Sequence, residues 1–209
     1  MNYLEELKAL ALDSLENSIK DNSGFIPRIH IIGEKEEKIV FLPFKDEEEK
    51  REMFLTMGAM AFEENSHQMI FICDTYVRKM NSVKDAKEVG ENWDTERPST
   101  YPEHLRSEAL VLHSIDFKNS ENDKLLLITY KKKDQKITDI NEEPMPFNSI
   151  EGSIKDYLSE GFCQAKVIDF LQRKELTLEQ LNSKSMPEIE EIFLEVSREI
   201  KRDFPNIKP

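Results

Sequence analysis

The stretch ALVLHSIDFKNSENDKLLLITYKKKDQKITDI, residues 109–140, decides the fold class that this sequence predicts. It contains three apolar runs, residues 109–117, 124–130 and 136–140, and short polar links rich in turn-forming residues separate them. Runs and links of this length are typical of antiparallel strands joined by hairpins, so we predict a three-stranded meander. The middle run is apolar on both faces, and we therefore expect it to be the most central strand.

The sequence upstream of the meander predicts two helices and further strands. Apolar residues recur at helical spacing over residues 3–20. Residues 25–42 have the pattern of a hairpin, and residues 68–73 have the pattern of a buried strand. Between these, Asp46 stands three residues before Glu49, as in the capping box that starts a helix.

The sequence downstream of the meander becomes helical. Pro144 and Pro146 interrupt the strand pattern, because proline cannot donate to a β-ladder. Two helical stripes of apolar residues follow, and we expect the segment to bury them against the sheet or against a second copy of the chain: Ile154, Leu158, Ala165, Ile168 and Leu171, then Ile189, Ile192, Phe193, Val196 and Ile200. We therefore divide the chain into a core domain, residues 1–147, and a helical C-terminal segment, residues 148–209. The predicted class is α+β, with a mainly antiparallel sheet that carries helices on one face.

Composition and charge indicate the compartment in which the chain is expected and the classes of partner that it is not expected to bind. Its 209 residues carry a net charge of −13, and such a surface repels the phosphate groups of nucleic acids. No apolar run approaches the ~20 residues that span a bilayer. Met1 leads into an acidic amphipathic segment rather than a signal peptide, and the two cysteines, Cys73 and Cys163, are too few for a disulfide framework. We therefore expect a cytoplasmic protein that binds neither nucleic acid nor membrane.

Common catalytic fingerprints do not occur in this sequence. It has no Gly-x-Ser-x-Gly string, which forms the nucleophile elbow of many hydrolases. Its six glycines form neither the dinucleotide-binding pattern nor the P-loop pattern. We therefore expect no cofactor, and the first hypothesis is a non-catalytic, soluble interaction or accessory protein. We expect it to contact another protein, through its long loop and its C-terminal helices, or a second copy of itself in a homo-oligomer.

A long polar stretch, residues 79–108, supplies the side chains that we predict to contact a partner. Trp93 and Tyr101 are aromatic residues of the kind that dominate binding energy at interfaces. Arg97 and Arg106 are suited to pairing with carboxylates, in this chain or in a partner. In the alternative interpretation, the stretch folds back and packs Trp93 over the sheet.

The alternative hypothesis is a metal-dependent hydrolase. Histidine and carboxylate side chains bind divalent cations, which can activate a water molecule for hydrolysis. The candidate catalytic residues are Asp74, Glu103, His104 and His113, and the candidate metal ligands are His30, His104 and His113. The histidines lack the i, i+4 spacing of a helical zinc site. In the simpler interpretation, His30 and His113 lie on half-exposed strand faces and hold no metal.

The residues at the start of the meander also resemble a known group of proteins. The pattern runs from Arg97-Pro98-Ser99 through Arg106-Ser107-Glu108-Ala109-Leu110, and the meander follows it. Over about residues 38–140 the chain resembles small prokaryotic and viral proteins that are grouped as a family of unknown function. This resemblance implies no activity, and the helical parts at the two ends of the chain lie outside it.

Overall fold

The structure, a computed structural model, describes residues 3–34, 36–78, 98–145 and 153–207. Within these residues the helices are α1 (Tyr3–Lys20), α2 (Glu47–Glu63), α3 (Ser153–Arg173), α4 (Leu178–Asn182) and α5 (Met186–Asp203). The strands are β1 (Arg28–Ile32), β2 (Glu37–Phe41), β3 (Gln68–Arg78), β4 (Arg106–Asp116), β5 (Lys124–Lys133) and β6 (Lys136–Met145). The predicted α+β class, with its antiparallel sheet and its helical C-terminal segment, is confirmed.

The six strands form one sheet in the order β2-β1-β3-β4-β5-β6. The predicted meander is confirmed, since β4, β5 and β6 are successive neighbours, and so is the pairing of β1 with β2. The expectation that residues 124–130 form the most central strand is wrong, because β3 and β4 occupy the middle and β5 lies next to β6 at the edge. Apolar residues on both faces of a strand indicate that both faces are covered. They do not indicate the position of the strand in the sheet.

Strand β6 continues beyond the residue at which the sequence pattern ends it. Pro144 lies in the strand, opposite Leu126 of β5. An edge strand needs ladder hydrogen bonds on one side only, so it tolerates the missing N–H group of proline. The hairpin between β5 and β6 turns at Asp134 and Gln135, whose φ angles are 51° and 58°. Two successive positive φ values are typical of a type I′ turn, whose twist matches the twist of the two strands of a hairpin.

The chain divides into two compact units, and each of them draws on several stretches of sequence. Unit 1 contains residues 1–28, 71–113 and 124–147, and unit 2 contains residues 29–70, 114–123 and 148–209. The helical C-terminal segment therefore belongs to a unit that also contains residues assigned by the sequence pattern to the core domain. The division of the chain into two domains at residue 148 stays a prediction.

In unit 1, helix α1 packs against strand β6. The apolar stripe of the helix supplies the buried residues Leu7, Ala11 and Leu15. At the margin of this contact, the Lys8 Nζ atom lies 2.9 Å from the Glu142 Oε2 atom. The helical period of the sequence therefore places the covered face of α1 correctly.

In unit 2, helices α2 and α3 pack together around an aromatic cluster. The ring of Phe162 lies edge-on to three other rings, with centroid distances of 5.3 Å to Phe62, 4.9 Å to Phe117 and 4.6 Å to Phe204. Phe162 is fully buried. Because full burial of such a side chain contributes about 1.5–3 kcal/mol, this cluster is a main source of the packing energy that holds α3 in place.

Candidate binding groove

A groove opens in unit 2 between helices α3 and α5, with a volume of about 620 Å³. It is lined by Lys155, Asp156, Ser159, Glu160, Cys163, Gln164, Val167, Ile168, Phe193 and Asn206. The α3 residues of this list recur every three or four positions, so they form one continuous face of the helix. From residue 155 to residue 168 this face is roughly 20 Å long, at a rise of about 1.5 Å per residue.

Large apolar side chains are exposed along the groove. Ile168 is 56% exposed on the α3 wall, and Phe193 is 46% exposed on the α5 wall. Leu194, beside Phe193, is 55% exposed. Exposed apolar side chains on both walls of one groove are typical of a site that binds another molecule.

Ile168 and Phe193 are therefore not buried within the chain, and the burial of their stripes against a second copy stays a prediction. Other members of the two stripes are buried as predicted, among them Leu158 on α3 and Val196 on α5. The period of a helix identifies its apolar side, but it does not tell how far a neighbouring helix covers that side. Where the groove opens, α3 and α5 are not in full contact, so the side chains along it stay in contact with water.

Ion pairs tie α5 to α3. The Arg173 Nη2 atom lies 2.9 Å from the Glu199 Oε2 atom, and the Lys166 Nζ atom lies 3.5 Å from the same oxygen. The hydrogen bond from Arg173 lowers the pKa of Glu199. A further pair joins Lys174 to Glu195 at 2.9 Å. These pairs restrict the separation of the two helices, and with it the width of the groove.

A polar network fixes one end of the groove. Lys155 Nζ donates to the Asp123 Oδ2 atom at 2.7 Å, and Asn206 Nδ2 donates to the same oxygen at 3.0 Å. The other oxygen of Asp123 accepts from the backbone N–H of Asp116 at 2.7 Å. The side chain of Asp123 is 1% exposed. This carboxylate therefore joins the start of α3, the link between β4 and β5, and the chain that follows α5.

Cys163 forms part of the α3 wall and is half-buried. Burial raises the pKa of its thiol to about 11. The thiol therefore stays protonated near neutral pH, and a protonated thiol is a weak nucleophile. This environment supports a packing role for Cys163 in the groove, as a small side chain that a ligand can contact.

A second, smaller pocket of about 320 Å³ lies in unit 1 and gathers some of the predicted site residues. Glu103 and Arg106 line it together with Tyr76 and Tyr130. The hydroxyl of Tyr130 donates to the Asp74 Oδ1 atom at 2.6 Å. Three residues named from the sequence, Asp74, Glu103 and Arg106, therefore lie in or against one pocket.

Charged side chains at this pocket contact partner groups of unit 1. Burial raises the pKa of Asp74, and the hydrogen bond from Tyr130 opposes that rise. The Lys132 Nζ atom lies 2.6 Å from the Glu108 Oε1 atom. The guanidinium of Arg106 lies 4.7 Å from the centroid of the Tyr76 ring, which places it over an aromatic face. These cations thus already contact carboxylates or aromatic rings of their own unit.

The candidate histidines lie in three different environments. His104 is exposed, in a single 3₁₀ turn at Glu103–Leu105, whereas His113 is buried in β4. His30 is buried in β1, where its Nδ1 atom contacts a carboxylate oxygen of Glu37. The expectation that His30 and His113 lie on half-exposed faces is therefore wrong. Among the described residues, no group of three or more histidine, cysteine, aspartate or glutamate side chains is arranged to hold a metal ion.

The predicted partner-binding residues are only partly within the described part of the chain. Trp93 and Arg97 lie outside it. Tyr101 is 3% exposed, and the guanidinium of Arg78 lies 5.8 Å from the centroid of its ring. The ring of Tyr101 is therefore buried within the chain, and its contact with a partner stays a prediction. Arg106 is half-buried beside the pocket described above.

The residues of the groove were not identified from the sequence as a site. A signal for them exists in α5, where Phe193 and Leu194 are adjacent and cannot both face the interior of one narrow stripe. In α3, Cys163 and Val167 extend the apolar surface beyond the predicted stripe. Helices that are apolar on more than one side are covered on more than one side, or they present a face to a ligand.

Comparisons with known proteins add no relative from which a function could be transferred. No protein-family model, curated protein or solved structure matches this chain. The resemblance over residues 38–140 stays an expectation. In the part of the chain that the structure describes, no helix is both long enough and apolar enough to cross a bilayer.

Proposed function

We propose that this protein is a non-catalytic interaction protein that binds a helical segment of another polypeptide in the groove between α3 and α5. The observation that supports this function is the exposure of Ile168 and Phe193 on the two facing walls of one groove. Water contact with large apolar side chains is unfavourable, and a ligand that covers them gains that free energy. Exposed apolar surface on two rigid helices is also already in place before a partner arrives, which lowers the entropic cost of binding.

The shape of the groove favours a helix as the bound segment. Its α3 wall is straight, because the lining residues share one face of a single helix over roughly 20 Å. An amphipathic helix presents apolar side chains at the same spacing, at positions i, i+3, i+4 and i+7, and grooves between helices recognise such a stripe. A bound helix of about 14 residues would match the length of this wall at 1.5 Å per residue.

Binding of labelled helical peptides tests this function. The probes are fluorescein-labelled, Leu-striped amphipathic peptides of about 14 residues, a length that follows from the helical rise. We expect fluorescence anisotropy to report saturable binding to the full chain. The double variant Ile168→Ser, Phe193→Ser should weaken binding ~10-fold or more, as loss of central apolar contacts does at other interfaces.

A matched control removes an exposed apolar side chain elsewhere. Leu10 on α1 in unit 1 is 61% exposed, so Leu10→Ser changes the total apolar surface without touching the groove. We expect this variant to bind the peptides as the parent chain does. Equal loss of binding in the control and in the groove variant, or no saturable binding by any peptide, would refute the proposed function.

A further inference from the structure

We infer that the open edge of strand β2 is a second binding surface, which takes an extended segment of another polypeptide as an added antiparallel strand. This surface shares no residue with the groove, and it binds a strand rather than a helix. The inference follows from the position of β2 in the sheet, from the direction of its backbone groups and from the exposure of its apolar side chains.

Strand β2 is an edge strand, and some of its backbone groups point out of the sheet. It comes last in the six-stranded order, so only β1 pairs with it. The N–H group of Gly33 donates to the carbonyl of Glu36 at 3.0 Å, which places the Glu36 backbone on the β1 side. Because backbone groups alternate in direction along a strand, those of Ile39 and Phe41 point to the open side. In the described part of the chain, neither residue has a backbone hydrogen-bond partner there.

The same two residues have exposed apolar side chains. Ile39 is 52% exposed, and Phe41 is 56% exposed. Both side chains lie on one face of β2, since residues two apart along a strand point the same way. A strand that pairs with this edge would therefore form hydrogen bonds with both residues and cover their side chains at the same time.

The charged side chains of β2 already have contacts within unit 2. The Nδ1 atom of His30 on β1 contacts a carboxylate oxygen of Glu37, and the Nζ atom of Lys38 contacts Glu64 at the end of α2. A lysine on an edge strand can deter pairing with another chain. Lys38, however, points to the opposite face of the strand from Ile39, so it leaves the exposed apolar face uncovered.

The other edge of the sheet carries features that disfavour strand addition. Strand β6 contains Pro144, which has no N–H group to donate, and Asp139, whose φ angle is 50°. Its register with β5 also shifts between Thr129 and Lys131. Prolines and bulges of this kind keep edge strands from pairing with other chains. The five residues of β2, all of which the structure describes, include no proline and no positive φ angle.

An extended segment fits this edge better than a helix or a second copy does. Only an extended backbone presents N–H and C=O groups at the two-residue spacing of Ile39 and Phe41. A contact confined to β2, roughly 17 Å long at about 3.4 Å per residue, buries less than the ~1,200–2,000 Å² of a stable protein–protein interface. The net charge of −13 adds a repulsion between copies. A short segment needs no further surface, and we expect β-branched or aromatic residues opposite Ile39 and Phe41.

Two N-methylated peptides test whether the backbone of β2 is the binding site. Both are fluorescein-labelled and alternate Val and Thr over about seven residues, a length that spans the strand. One is N-methylated at every Val and the other at every Thr. In an antiparallel pair with Val opposite Ile39 and Phe41, the N–H groups of the Val residues face β2. We expect saturable binding of the Thr-methylated peptide to the full chain by fluorescence anisotropy, and binding ~10-fold or more weaker for the Val-methylated peptide.

Variants of β2 locate the binding on this edge. Ile39→Pro removes an N–H group on the open side, at an edge where proline is tolerated. The double variant Ile39→Thr, Phe41→Thr removes the apolar side chains but keeps residues that favour a strand, and it decides the matter if the proline variant does not fold. Each should weaken binding of the Thr-methylated peptide ~10-fold or more. The matched control is Ile26→Thr, Ile140→Thr, at two residues of unit 1 that are each 51% exposed, and it should bind as the parent chain does.

Each outcome decides for or against the edge of β2. Equal binding of the two peptides, the opposite order, no saturable binding, or equal loss in the β2 variant and its control overturns the inference. The groove variant Ile168→Ser, Phe193→Ser should bind the Thr-methylated peptide normally, and loss of binding there would place the peptide in the groove instead. Self-association in sedimentation that Ile39→Pro abolishes would identify a second copy as the occupant and overturn the inference. Failure here leaves helix binding in the groove standing, since the two surfaces share no residue.

Discussion

Gly58 of α2 and Gly161 of α3 each face the backbone of the helix that carries the other. A Cβ atom on Gly58 would lie 2.1 Å from the carbonyl oxygen of Leu158, and one on Gly161 would lie 1.9 Å from the carbonyl oxygen of Leu55. No side chain fits at such distances, so the two helices are in backbone contact where they cross. This crossing sets the position of α3, whose other face is the wall of the groove.

We predict that Gly58→Ala and Gly161→Ala each destabilise the protein. Alanine favours a helix interior by about 1 kcal/mol over glycine, but here its Cβ would collide with backbone atoms that cannot move alone. Overpacking of this kind costs about 1–3 kcal/mol, and more where a helix must shift. Urea denaturation followed by circular dichroism measures the change. Gly24→Ala is the control, since nothing lies within 4 Å of its Cβ, and we expect it to leave the midpoint unchanged. A midpoint unchanged in all three variants would show that α2 and α3 are not in backbone contact.

We predict that Asp123→Ala strongly destabilises the protein. The substitution leaves Lys155, whose Nζ lies 2.7 Å from Asp123, without its buried partner, and it also removes an acceptor from Asn206. Removal of one partner from a buried ion pair costs about 3–5 kcal/mol. The control is Glu16→Ala, which removes a pair with Lys20 one turn away on α1 and should cost no more than about 0.5 kcal/mol. Equal stability of the two variants would contradict the role of the network.

We predict that Tyr130→Phe destabilises the protein more at neutral pH than in mild acid. Burial already raises the pKa of Asp74, and loss of the hydrogen bond from Tyr130 raises it further. When folding raises the pKa of a carboxyl group, the protonated group stabilises the folded state at a pH below the pKa of the unfolded chain. That stability is lost as the pH rises through the pKa of the folded state. The substitution is therefore most destabilising when Asp74 is ionised. At neutral pH we expect the free energy of unfolding to fall by at most about 1.5–3 kcal/mol, because partial exposure of the pair to solvent reduces the effect.

Denaturation at a series of pH values, from mild acid to neutral, measures how the effect of Tyr130→Phe changes as Asp74 ionises. In an Asp74→Asn background the effect of Tyr130→Phe should no longer vary with pH, because residue 74 can no longer titrate. A pH-dependent effect that persists in this background would assign the titration to another group.

We predict that Zn²⁺, Mn²⁺ and Mg²⁺ leave the melting temperature of the protein unchanged. His104 is exposed and His113 is buried, and the described residues contain no cluster of ligands for an ion. A ligand that binds only the folded state raises the melting temperature, so thermal unfolding with and without each ion is a direct measurement. A rise that His104→Ala abolishes would instead support the metal-dependent hydrolase.

Local patterns account for the elements that were predicted correctly. The bounds of α1 follow from apolar residues one turn apart, and α2 begins where Glu49 N–H donates to the Asp46 Oδ1 atom at 2.9 Å. Both features depend on residues within about one helical turn of each other, so they can be read along the chain. The length of β6 could not be read in this way, because Pro144 is tolerated only through the edge position of its strand.

The candidate sites were predicted less well than the fold. Asp74, Glu103 and Arg106 do lie in or against one pocket, since strand ends that are distant in sequence meet there. The sequence named the C-terminal helices as a contact surface but did not place the groove, because Ile168 has the same helical period as the buried Leu158 and differs from it only in what lies opposite.

The sequence by itself determined which segments form helices, strands and turns, and hence the α+β class, because these depend on spacing and on contacts between near neighbours. Only the tertiary structure decided that Gly58 and Gly161 bring two helices into backbone contact, and that Phe193 remains exposed while Val196 is buried. The physical reason is that burial is a property of the elements that surround a residue. Those elements lie far away along the chain, where the period of a single helix carries no information about them.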